Sequence, residues 1–179
     1  MRPGPLEILA VLSSLAYTVL ISFGSIWCWL FAALSAGFFL VLCWQRKIYA
    51  ELVLQVFYLY MAYYGYANWG QGLSDLPEMK SAIFHLQAIG FALLLTALWA
   101  LLLRRFTDSK LPVIDAFTTV FSIWATVLMV QLFPENWLYW IVIDGVSIYL
   151  YSKRGLKLSA LLFLLYTLLA INGFWQWTQ

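Results

Sequence analysis

Ten residues of this sequence, ENWLYWIVID from Glu135 to Asp144, hold two carboxylates, an amide and two tryptophans between some of the most apolar runs in the chain. A carboxylate can carry a proton or balance a cation, and an indole face attracts a flat cation by about 0.5–2 kcal/mol. On a helix, Trp137, Trp140, Asp144 and Tyr151 fall at steps of three, four and seven and share a face. Together they suit one wall of a site for an aromatic cation. Asn136 stands beside Trp137, where it could line the same wall or simply cap the helix. Further polar residues interrupt other apolar stretches: Gln55, Tyr58 and Tyr64; His85 and Gln87; Asp115, Ser122 and Thr126, flanked by Thr118 and Thr119; Asn172 and Gln176. In lipid such residues are costly and mostly face a cavity or one another.

Asp144 lies seven residues into its apolar segment, and every Lys and Arg falls near a segment end. Three readings stay open for it. It is a neutral carboxyl hydrogen-bonded to another span, a proton carrier in a coupled transporter, or a charge on a wet path that meets a cationic substrate. The two tryptophans favour the last. His85, the lone histidine, is more simply a packed or hydrogen-bonded residue than a proton carrier, and Asp115 suits the N-terminus of a helix.

The elements that must position these residues are membrane spans. The chain has 179 residues, 64% hydrophobic and 10% charged, against about 25% charged in soluble domains. Its mean hydropathy is +0.86. A span takes about 20 residues. From Ile8 to Gln45 no charge occurs, and 38 residues make a helix of about 57 Å, enough for two crossings with a break at SFGS, Ser22 to Ser25. Further spans are expected at Leu52–Trp69, Ser81–Leu103, Val113–Leu132, Trp137–Tyr151 and Leu158–Trp177, separated by GQGLSDLPEMK, RRFTDSKLP, FPEN and SKRG. The total is seven. The sixth is short, so it is barely tilted or begins within FPEN. A cleaved leader is not expected, because no A-x-A pattern stands near Phe23.

Charge sets the orientation. With the N-terminus cytoplasmic, Arg2, Arg46, Lys47, Arg104, Arg105, Lys110, Lys153, Arg154 and Lys157 lie inside and only Lys80 outside, with Asp75, Glu78 and Glu135. The formal net charge of +2 then reflects topology and not nucleic-acid binding. Trp27, Trp29, Trp69, Trp137, Trp175 and Trp177 are expected in an outer aromatic belt. Cys28 and Cys43 share one span, too far apart for a bridge, and with one histidine no metal or other cofactor is expected. Phosphate-loop, G-x-S-x-G and H-E-x-x-H signatures are missing, which argues against an ATP-driven pump or an enzyme.

Sliding the chain by 108 residues superimposes the first three spans on the last three without a gap. Identical pairs include Ser14/Ser122, Thr18/Thr126, Trp29/Trp137, Gly37/Gly145, Arg46/Arg154, Tyr58/Tyr166, Ala62/Ala170, Gly65/Gly173 and Trp69/Trp177. Three-span units joined directly run in opposite senses, and the extra span Ser81–Leu103 restores one sense. The expected fold is an all-α integral membrane domain over residues 1–179 in a three-plus-one-plus-three parallel-repeat arrangement. Repeat one covers 5–69, the linker helix 81–103 and repeat two 113–177, with the C-terminus outside. Tyr58, Ala62, Gly65 and Trp69 share a face that Tyr166, Ala170, Gly173 and Trp177 repeat, which suits close helix packing and a cavity wall equally.

DAFTTVFSIWATVLM and ENWLYWIVIDGVSIYLYSKRGLKLSALLFLLYTLLAINGFWQW resemble the PnuC family of bacterial vitamin transporters, and YMAYYGYANW looks like its third core span. The resemblance implies a SWEET-like fold, residence in the bacterial inner membrane, uptake by facilitated diffusion, trapping by a cytoplasmic vitamin kinase, and a homotrimer. The family's W-x-x-W maps onto Trp137 and Trp140. Substrates in the family are nicotinamide riboside, thiamine and riboflavin, and a small flat cation suits Asp144 best. Compactness, without the extra N-terminal segment of many nicotinamide riboside members, and the GLKLSALLFLLYTLLAINGFWQW ending look most like the thiamine (PnuT) branch. Thiamine is therefore the expected substrate, with nicotinamide riboside the alternative. A proton-coupled carrier and a non-transporting membrane scaffold are the remaining rivals.

Overall fold

In a computed structural model describing residues 4–45, 49–69, 76–107, 109–153 and 157–179, the long uncharged stretch breaks where SFGS stands. Helix α1 (Pro5–Ser22) ends there and α2 (Cys28–Gln45) begins after a short turn. Then come α3 (Tyr49–Asn68), α4 (Ala82–Phe106), α5 (Pro112–Val130), α6 (Asn136–Lys153) and α7 (Lys157–Thr178). Each falls on an expected span. Helix α6 starts as FPEN ends, which lengthens the shortest expected span to 18 residues. Arg2, Arg46, Lys47, Asp75 and Arg154, used in the charge and repeat arguments, lie outside the described residues.

Local chemistry explains the helix starts. Pro5 and Pro112 open α1 and α5, where a fixed φ and a missing N–H carry no penalty. Ser81 caps α4, its hydroxyl accepting the Phe84 N–H at 3.3 Å. At the other end of α4, Arg104 and Arg105 face the negative pole of the helix dipole.

Among the described residues, five helices are long and apolar enough to cross a membrane on their own terms: α1, α2, α4, α5 and the Ala160–Thr178 part of α7. The expected seven therefore divide. Helices α3 and α6 have the length but carry more polar side chains, among them Gln55 and Asn68 on α3, and Asn136, Asp144 and Ser147 on α6. A span shielded by neighbours needs apolar residues on one side only.

The chain forms two compact units, one holding α1–α3 and the other α4–α7. Within each, the turn bonds recur at the 108-residue register. Ser25 N–H donates to Leu20 O at 3.0 Å and Phe133 N–H to Leu128 O at 3.0 Å. Cys28 N–H donates to Ser25 O at 3.0 Å and Asn136 N–H to Phe133 O at 3.1 Å. The Thr18 hydroxyl bonds the Ser14 carbonyl as Thr126 bonds Ser122. Gly24 has φ 68° and its counterpart Leu132 has φ 64°. This left-handed conformation is free for glycine and costs a leucine on the order of 1 kcal/mol.

The same register places a tryptophan on a glycine twice. The Trp29 indole lies where a side chain at Gly65 would stand, and the Trp137 ring lies 2.5 Å from a Cβ built on Gly173. Each indole also meets a second one edge to face: Trp29 and Trp69 at 5.2 Å and 81°, Trp137 and Trp177 at 5.4 Å and 87°. All four are buried, so the expected belt is reduced to exposed Trp27 and Trp175. The Ala–Gly–Trp faces of α3 and α7 are thus packing faces.

Candidate functional site

Helix α6 turns its polar residues inward. Asn136 is fully buried, its side-chain N–H donating to Phe133 O at 2.7 Å, so it closes the turn entering the helix. Its Oδ1 has no hydrogen-bond partner among the described residues. Trp137, held on Gly173, is a joint between α6 and α7.

Trp140 and Asp144 lie one helical turn apart and stand differently. Trp140 is half-buried and packs against a cluster of Ala92, Phe121, Ala125, Leu128, Phe133, Tyr139 and Ile143. Its indole N–H has no acceptor among the described residues. Asp144 is 4% exposed, and no described residue hydrogen-bonds or pairs with its carboxylate. A buried carboxylate alone is unfavourable, and a cation beside it offsets that burial. An indole face and a carboxylate on one helix face provide both contacts that a flat cation requires.

Other expected site residues fall around this pair or apart from it. On α5, Ser122 and Thr126 are buried, and Thr119 donates its hydroxyl back to the Asp115 carbonyl at 2.8 Å. Asp115 accepts from Ser109 Oγ at 2.5 Å, anchoring the loop ahead of its own helix. Tyr151 stacks on Phe163 at 5.0 Å and 17°, another α6–α7 joint, and Asn172 is half-buried on α7. Gln87 is exposed on α4. Gln55, which is buried, and Tyr58 belong to the α1–α3 unit, with the Tyr58 ring 5.7 Å from that of Phe57. Cys28 and Cys43 are both buried on α2.

The partners of His85 escaped sequence reasoning. His85 stands 2.9 Å from the Tyr139 hydroxyl through Nδ1 and 3.2 Å from Glu135 Oε1 through Nε2. Tyr139 is 9% exposed and Glu135 5%. A lone histidine with its partners 50 and 54 residues away has no local spacing to betray it, although a repeat comparison does, since Glu135 and Tyr139 replace Trp27 and Phe31.

Comparison with known proteins agrees with this architecture. The model of the family described as nicotinamide mononucleotide transporter matches residues 4–179. The nicotinamide riboside transporter PnuC of Escherichia coli (strain K12) is 24% identical over 184 aligned residues, covering 82% of this chain and 74% of that protein. The nicotinamide riboside transporter PnuC of Haemophilus influenzae is 26% identical over 183, covering 97% and 79%. The crystal structure of the vitamin B3 transporter PnuC is similar at a TM-score of 0.76 and 25% identity, covering 97% of this chain and 80% of that one. With its apolar helices, the protein is a multi-pass transporter of the bacterial inner membrane. The chain belongs to the nicotinamide mononucleotide transporter family, which is the family of the PnuC transporters.

Proposed function

We propose that this protein takes up nicotinamide riboside by facilitated diffusion, with Trp140 covering the cationic pyridinium ring and Asp144 balancing its charge. The observation that carries the reading is the buried Asp144 carboxylate, without a partner among the described residues, one turn from a half-buried indole. The names of the similar transporters support nicotinamide riboside over thiamine. Compactness and the spelling of α7, the features that resemble the thiamine branch, are not contacts with a substrate. A phosphorylated substrate fits less well. Among the described residues the Lys and Arg side chains lie at helix ends or in loops, so a phosphate beside Asp144 would meet like charge.

The three-plus-one-plus-three arrangement, the cytoplasmic N-terminus, a homotrimer and trapping by a cytoplasmic kinase complete the proposal. The repeated turn and the repeated Trp–Gly joint support the parallel repeat. Calorimetric titration of the purified protein with nicotinamide riboside, thiamine and nicotinamide mononucleotide tests the substrate. Saturable binding of nicotinamide riboside alone is expected, lost in a folded Trp140→Ala, Asp144→Ala double variant. Tighter binding of thiamine would restore the thiamine branch. Unchanged affinity in the double variant would move the site elsewhere.

A further inference from the structure

The His85, Glu135 and Tyr139 cluster takes no part in the ligand reading above. Glu135 Oε1 meets His85 Nε2 and also accepts the Lys80 backbone N–H, so the start of α4 is held to the α5–α6 turn. Lys80 Nζ lies 4.4 Å from the Phe133 ring centroid, above the same turn. An ionised carboxylate only accepts. With the imidazole neutral, its proton therefore sits on Nε2, which leaves Nδ1 to accept from the Tyr139 hydroxyl. The result is one directed line, from Tyr139 to His85 to Glu135.

The internal repeat shows that the turn does not need this line. In the 108-residue register Glu135 corresponds to Trp27 and Tyr139 to Phe31, neither able to make these bonds through a carboxylate or hydroxyl. Helix α2 nevertheless begins with the same backbone hydrogen bonds as α6. Many α6 residues differ from the repeat in the same stretch, and among them Trp140 stands against Ala32 and Asp144 against Ala36. Tyr139 precedes Trp140 in the chain and belongs to the buried cluster against which Trp140 packs.

We propose that His85, Glu135 and Tyr139 are positioning residues for Trp140: through their hydrogen bonds, α4 sets the first turn of α6 so that the indole presents its face to the substrate. This rests on the reading of Trp140 as a ligand contact, and the test separates the two. His85→Ala and Tyr139→Phe each weaken nicotinamide riboside binding about fivefold, the effect of one hydrogen bond. The double variant is no weaker than either single, since both cut one line. Glu135→Gln, whose carbonyl still accepts from Lys80 and His85, stays near wild type, while Glu135→Ala does not.

The second readout needs no ligand. In protein labelled with nitrogen-15 at tryptophan, the Trp140 indole N–H resonance, identified by its loss in Trp140→Phe, shifts in His85→Ala and Tyr139→Phe but not in Glu135→Gln. If His85→Ala does not fold, Tyr139→Phe, which removes a single oxygen, carries the test. A stationary Trp140 signal in folded Tyr139→Phe, or losses that multiply in the double variant, overturns the proposal even where nicotinamide riboside binds. A shifted signal in a protein that binds no nicotinamide riboside supports the network and defeats the functional reading instead.

Discussion

Asp144 and Trp137 stand seven residues apart on α6 and make opposite demands on the fold. The carboxyl group of Asp144 is buried with no partner among the described residues, so Asp144→Asn removes a group whose ionised form burial disfavours while keeping the shape. The expected result is unchanged or slightly higher thermal stability, with affinity for a cationic ligand weakened by about 2 kcal/mol, or roughly 30-fold. Calorimetry and a melting curve on the same sample check both signs. Trp137→Ala acts the other way. Taking the buried indole off Gly173 costs about 3 kcal/mol of stability, and ligand affinity in the protein that still folds changes far less than in Trp140→Ala. Helical spacing places Trp137 and Trp140 toward one side of α6, and that much is legible in the sequence. Which indole is joint and which is site is not, because the glycine that seats Trp137 lies on another helix. The repeat holds the missing signal. Trp137 is matched by Trp29 and Gly173 by Gly65, whereas Trp140 and Asp144 are matched by alanines.

At the scale of helices and turns, the most informative position is Leu132, held at φ 64° where the first repeat has Gly24. Leu132→Gly is expected to stabilise the protein by about 0.5 kcal/mol, and Gly24→Ala to destabilise it by about 1 kcal/mol. Comparative melting of the two variants checks this opposition, and a loss in both would show that the leucine side chain matters more than the backbone. Gly65→Ala and Gly173→Ala should each displace an indole, at about 1–3 kcal/mol apiece. The helix limits themselves were readable, because SFGS and FPEN interrupt apolar runs with turn formers and an offset of 108 residues ties one break to the other. What apolarity alone could not yield was the status of α3 and α6, whose polar residues lower the signal of the helix that carries the candidate site.

For the whole molecule, the charge bias becomes a labelling experiment. In single-cysteine variants on a background with Cys28 and Cys43 replaced, Lys80→Cys should react with an impermeant maleimide from outside intact cells, and Lys110→Cys only after lysis. The reverse pattern would invert the proposed orientation. Counterflow of nicotinamide riboside in kinase-free vesicles should persist when an uncoupler collapses the proton gradient, since Asp144 is assigned to the substrate and not to a proton. Collapse of the counterflow would return Asp144 to proton coupling. The paired indoles also govern how such a protein emits light. Four of its ten tryptophans, Trp29 with Trp69 and Trp137 with Trp177, are locked edge to face inside the protein. They form a steady luminous floor that a substrate resting on Trp140 does not touch. With the ligand resting on Trp140, a titration is expected to dim the emission in part and then level off, and complete loss of emission would count against Trp140 as the sole indole contact.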